Sequence, residues 1–212
     1  NRPHLLTLID CDGVTIRDAT FEDAAYWCIH PAGCTDVLIH GVRVNNSLKI
    51  RNCDGIDIDH CRNVRISDCW IRSADDSICI KNRRDYDHCG PCENNTITGC
   101  ILTSTSCALK LGTESGVYVA GSHDSRIEGI VFDNVDVTIR KTWKYPDGVY
   151  DRRRRDVEGI LEAPAAGSRL SRADDVRVRD VAVRFAEPRQ DYYGEHVALG
   201  NVRGLRTEGL EG

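Results

Sequence analysis

The chain has 212 residues, 29% of them charged and 41% hydrophobic, with a formal net charge of −5. An acidic balance excludes a general nucleic-acid binder, which needs a basic face. No window supplies the roughly 18 apolar residues of a membrane-spanning helix, and the length fits one elongated domain, residues 1–212.

The chain opens on Asn1-Arg2-Pro3-His4 and runs straight into Leu5-Leu6-Thr7-Leu8-Ile9, already a strand pattern. With no initiator Met and no apolar signal core, this start reads as that of an excerpt or a processed product. An eleven-residue phrase then recurs: a cysteine or small residue, two polar residues, then alternating apolar ones. It begins at Cys11, Cys34, Cys61 and Cys92, and again at Ser122 and Ala173. A second short apolar run follows each copy: Trp27-Cys28-Ile29, Gly55 to Ile58, Ile78-Cys79-Ile80, Ala108 to Leu111, Val137-Thr138-Ile139 and His196 to Leu199. No stretch keeps a helical period, so few helices are expected. Repeats of this length built only from short strands predict an all-β solenoid, a parallel β-helix of about seven coils. Loop insertions are expected near 83–95 and 143–172. The leucine-and-asparagine consensus of a leucine-rich-repeat horseshoe is absent.

Eleven cysteines fit two readings. A disulfide scaffold is usually much shorter, whereas buried free cysteine behaves as a small hydrophobe. The repeat favours the second: Cys11, Cys34, Cys61 and Cys92 stack at one inward corner, and Cys69 with Cys100 at another.

Residues one coil apart stack in such a fold. Asp54, in Asn52-Cys53-Asp54-Gly55, and Asp75, in Ala74-Asp75-Asp76-Ser77, therefore fall at the same turn of adjacent coils, with Asp76 beside them. Three carboxylates held close cannot all ionise freely. That division suits acid–base cleavage of a glycosidic bond, in which one group protonates the leaving oxygen and another activates water. Both stretches are also ordinary turn chemistry, with Asp and Asn bonding their own backbone.

Asn52-Cys53-Asp54-Gly55 followed by Asp75-Asp76 resembles glycoside hydrolase family 28, the polygalacturonase family, whose motifs are Asn-Thr-Asp and an Asp-Asp pair. Leu109-Lys110-Leu111-Gly112 resembles the strand after that family's Gly-His-Gly, and Arg140-Lys141-Thr142-Trp143 its Arg-Ile-Lys-Thr strand. The resemblance implies a right-handed parallel β-helix and an inverting hydrolase acting on a polysaccharide of the pectic type, galacturonan or rhamnogalacturonan. It implies secretion, and neither metal nor organic cofactor. Asp75 resembles the general acid, and Asp54 with Asp76 the pair that activates water. Lys141, Arg140 and Trp143 resemble the substrate-binding side. Cys107 stands where the family has histidine, Ala74 replaces Gln or Gly, and Arg140 and Lys141 are adjacent rather than two apart. Glu114, in Gly112-Thr113-Glu114-Ser115-Gly116, is a candidate to replace the histidine, or part of a glycine turn.

Two stretches stand outside this pattern. Cys89-Gly90-Pro91-Cys92 copies a thioredoxin dithiol without the following helix that would activate it, and free thiols or a local disulfide are expected there. Lys144 to Arg155 concentrates arginines and tyrosines in a way that suits an acidic sugar chain or a solvated charge run. Two other functions remain on the same fold. One is a polysaccharide lyase, with calcium on Asp54, Asp75 and Asp76 and Arg140 or Lys141 as base. The other is a non-catalytic carbohydrate-binding helix.

Overall fold

The computed structural model describes residues 2–81, 83–111, 116–120, 127–140, 149–151, 160–162, 164 and 166–211. Short strands stack in parallel columns. The first column holds eight: Leu6–Ile9, Ile29–Ala32, Ile56–Asp59, Ile78–Lys81, Cys107–Leu111, Gly116–Ala120, Ser168–Ser171 and Val197–Gly200. The second runs through Thr15–Arg17, Thr35–His40, Arg62–Ser67, Glu93–Ser104, Val131–Ile139, Arg177–Phe185 and Arg206–Glu211. A short third column, Thr20–Glu22, Arg43–Asn45 and Trp70–Ser73, merges into the second half of Glu93–Ser104. The chain passes from column to column and returns one rung higher, as a right-handed parallel β-helix, the hand expected of parallel crossovers. Among the described residues the one helix is the 3-10 segment Arg84–Cys89.

The repeated phrase has a backbone cause. Gly13, Asp36, Asn63, Asn94, Gly129, Asp175 and Gly204 all have left-handed φ, between +46° and +71°. The strand registers put them one above another. Gly, Asn and Asp are the residues that adopt this conformation at least cost, so the second polar residue of each phrase is the corner of a coil. Among the described residues, seven such corners make seven coils. Side chains bridge some of them: Asn63 Nδ2 donates to Asp36 Oδ1 at 2.8 Å and Asn94 Nδ2 to Asn63 Oδ1 at 3.1 Å.

Inside, like residues stack. Ile39, Ile66, Ile97, Phe132 and Val178 form one ladder, and Val44, Ile71, Leu102, Val137 and Val183 another, all buried. No coil could bury these side chains alone; stacking about 4.8 Å apart makes one continuous core. The cysteine ladder is present: the Thr35, Arg62 and Glu93 amides donate to the carbonyls of Cys11, Cys34 and Cys61, one rung below. The Ile101 amide likewise donates to the carbonyl of Cys69, stacking Cys100 on it. All eleven cysteines are free thiols.

Three expectations shift. The fifth phrase begins at Ile127, since Gly129 is its corner, and a seventh begins at Val202 with its corner at Gly204. Val137 to Ile139 is the end of a second-column strand, and the first-column rungs here are Gly116–Ala120 and Ser168–Ser171. Within the expected long insertion, Val149–Asp151 and Ile160–Glu162 pair antiparallel.

Candidate active site

The outer face of the first column departs from an ordinary β-helix surface. Alternation puts Ile29, Ile56, Ile58, Ile78 and Leu109 in the core and His30, Asp57, Asp59, Cys79, Lys81 and Lys110 outside. Yet His30, Asp57, Asp59 and Cys79 have no more than 1% of their surface exposed. Trp27 and the segment around Tyr86 close over His30, and the Arg83 amide donates to Asp59 Oδ1 at 2.9 Å. The Tyr86 ring packs on His30 at 5.8 Å, the Trp27 ring on His30 at 4.9 Å, and the Arg83 guanidinium lies 5.2 Å from the Trp27 ring centre.

The three acids gather at the lower edge of this face, in the turn entering two successive first-column strands. Ile56 pairs with Ile78, and the Gly55 amide donates to the Asp76 carbonyl at 2.8 Å. The register therefore stacks Asp54 on Asp76, with Asp75 one step out of line; the sequence reading had Asp54 on Asp75. One carboxylate oxygen from each of the three lies within 4.8 Å of the others. Asp54 and Asp76 are 2% exposed, and Asp75, half-buried, is the member of the trio that meets solvent. Asn46 fixes the lower turn, its side chain accepting from the Ala24 amide and donating to the Asp54 carbonyl. Ser73 and Ser104 donate to the Asp75 carbonyl at 2.9 and 2.6 Å.

Two lysines answer the acids. Lys81 Nζ lies 3.3 Å from Asp54 Oδ2, contacts Asp57, and sits 3.6 Å above the Trp27 ring. Lys110 Nζ lies 2.9 Å from Asp76 Oδ2, and Ser106 Oγ donates to Asp76 Oδ1 at 3.0 Å. Four carboxyls thus share two ammonium groups. Burial, reinforced by Asp57, pushes the Asp54 carboxyl up to about 9. Burial and then Asp76 raise Asp75, against the opposing pull of Lys110 and Ser106. Burial raises Asp57 as well. For Lys81 and Lys110 burial disfavours the charge, but their carboxylate partners outweigh it and hold both above the ordinary lysine range.

Asp57, Lys81, Lys110 and Ser106 were not singled out from sequence as site residues. The signal was the register of outward positions, Asp57 with Cys79 and Lys110, and Asp59 with Lys81. Cys107 pairs one rung above Asp76, as the Ser77 amide bonded to its carbonyl shows, and is fully buried. Arg140 is exposed, just past Val131–Ile139. Glu114, Lys141 and Trp143 lie outside the described residues. Cys92 leads directly into a strand, and burial pushes its thiol up to about 11. Both features remove the basis for a dithiol redox role there. The acid trio could geometrically hold a cation, but Lys81 and Lys110 already supply the positive charge.

Residues 1–86 match the profile described as Glycosyl hydrolases family 28, a segment that contains Asp54, Asp75 and Asp76. Over that segment the chain is similar to glycosyl hydrolase family 28. It is 30% identical over 145 residues to a "Probable polygalacturonase" of Vitis vinifera, covering 66% of this chain and 28% of that protein. A second "Probable polygalacturonase", from Arabidopsis thaliana, is 28% identical over 187 residues, covering 76% of this chain and 40% of the other. The chain therefore spans less than half the length of these relatives. A solved exopolygalacturonase from Thermotoga maritima superposes with a TM-score of 0.46 at 16% identity, over 99% of this chain and 55% of that one.

Proposed function

We propose that this chain carries the catalytic segment of a hydrolase that cleaves glycosidic bonds in a pectic polysaccharide, acting outside the cell. The observation that carries the proposal is the convergence of Asp54, Asp75 and Asp76, with carboxylate oxygens within 4.8 Å of one another. Asp75, half-buried and with a raised pKa, protonates the leaving oxygen. Asp76, ion-paired to Lys110, takes the proton of the attacking water. Asp54 is not free to act as the base at neutral pH, because a carboxyl at about 9 keeps its proton there; it orients the water by hydrogen bonding. Arg140, Lys141, Trp143, Glu114 and Cys107 stay assigned to the substrate side on sequence grounds, with fully buried Cys107 shaping the floor. No metal or organic cofactor is required by this chemistry.

The assignment to inversion rests on the family resemblance and on a third acid that helps Asp76 hold water in place of forming a covalent intermediate. A lyase needs an unprotonated base, and the lysines beside the trio are held in the opposite state. The test is digestion of a panel of pectic and other polymers, with products read by mass, ultraviolet absorbance and proton NMR. Saturated products of inverted anomeric configuration are expected. A retained anomer contradicts the water assignment, and an unsaturated product contradicts hydrolysis itself.

A further inference from the structure

We propose that Asp10, His88 and Cys89 form a binding site for a divalent transition-metal ion of the zinc type, which ties the segment before the Glu93–Ser104 strand to the first coil. The site is separate from the acid trio and independent of the function proposed above. A carboxylate oxygen of Asp10, a ring nitrogen of His88 and the Cys89 sulfur lie within 4.8 Å of one another. Cys89 Sγ donates to Asp10 Oδ1 at 3.4 Å across 79 residues of sequence. Donors around a tetrahedral zinc, with bonds of about 2.0–2.3 Å, stand roughly 3.5 Å apart, so this pair already has the spacing of two ligands.

The space these donors occupy exists because position 33 is glycine. A Cβ there would lie 2.5 Å from Asp10 Oδ1 and 2.6 Å from Cys89 Sγ. Backbone conformation alone does not demand glycine at this turn. Asp10 below it and His60 above it hold the same left-handed φ, 52° and 51° against 65° at Gly33. Only Gly33 has the two donors over its Cα. A set of one oxygen, one nitrogen and one sulfur selects a borderline metal; calcium and magnesium take oxygen ligands alone. Three protein ligands leave a fourth position for water.

The clamp has a structural consequence. The segment it fastens also carries Arg83 and Tyr86, which lie over Trp27 and His30. Metal at Asp10, His88 and Cys89 therefore steadies the cover of the buried outer face on which Asp57 and Lys81 sit.

The test uses the whole reduced chain, stripped with chelator, titrated with Zn²⁺ by calorimetry and with Co²⁺ by absorption. One equivalent should bind, with a thiolate-to-cobalt charge-transfer band and a metal-dependent rise in Tm. Asp10→Asn and His88→Ala should each weaken binding at least tenfold, and Cys89→Ser should abolish the band. Gly33→Ala should weaken it, while Cys11→Ser, at another partly exposed thiol, should leave it unchanged. Failure of the wild-type chain to take up one equivalent overturns the proposal. So does a band that survives Asp10→Asn and Cys89→Ser, or one lost in Cys11→Ser alone.

Discussion

Burial of Asp54 against Asp57 makes one carboxyl a lever on the stability of the whole coil. Its ordinary value is 3.8, and in the fold it is about 9. Between those values the native state keeps a proton that the unfolded chain has released. The unfolded state thus binds fewer protons, and stability falls as pH rises from about 4 to about 9. Asp54→Asn, which cannot ionise, should raise stability by ~2 kcal/mol at pH 8, or about 4–8 °C in Tm for a chain of this size, and make no difference near pH 4. Thermal melts of both proteins across that range check it; a Tm lowered at pH 8 contradicts the burial argument. Lys110 has the opposite sense. Removing it leaves Asp76 buried with no ammonium at 2.9 Å, so Lys110→Met should cost about 3–5 kcal/mol in urea unfolding. Adding Asp76→Asn should restore part of the loss.

Each turn fixes where its acid lands, and the turn between Cys53 and Ile56 is tightly built. A Cβ on Gly55 would meet the Ser77 carbonyl oxygen at 2.4 Å and Ile71 Cγ2 at 2.5 Å. Both belong to the adjacent coil, so Gly55→Ala should cost about 1–3 kcal/mol and also shift Asp54 off Asp76. Denaturant melts paired with activity measurements would show both losses, and a variant with wild-type stability contradicts the packing. The same turn marks how far sequence reading goes. Stacking of Asp54 with the Asp75-Asp76 pair was legible from spacing within a repeat. Which of the two it sits on was not, because a turn that absorbs one residue leaves no mark on the apolar alternation. The fifth coil was misplaced for a related reason: Ile127, Ile130 and Phe132 satisfy the phrase from Ser122 as well as from Ile127, and only the left-handed corner at Gly129 decides.

Across the whole molecule, the fold was readable because every coil repeats the same chemical problem: a corner that wants Gly, Asn or Asp and inward positions that want Ile, Val or Cys. The site was only half readable. Its acids stand out as turn motifs, whereas Lys81 and Lys110 occupy outward positions that in a plain solenoid would face solvent. Both are drawn largely out of solvent by the carboxylates they pair with, and Trp27, far away in sequence, covers Lys81. The helix thus serves as a ruler that brings acids from two coils to one point and supplies their countercharges from the rungs alongside. The most direct test is the rate of polysaccharide cleavage by Asp75→Asn beside the wild-type chain, with both melting curves recorded. The wild-type chain should release saturated sugar products, and the variant should be slower by on the order of 10³-fold or more, with Tm no lower than wild type. Cleavage by Asp75→Asn at the wild-type rate, or cleavage of no polymer by a folded wild-type chain, would contradict the account.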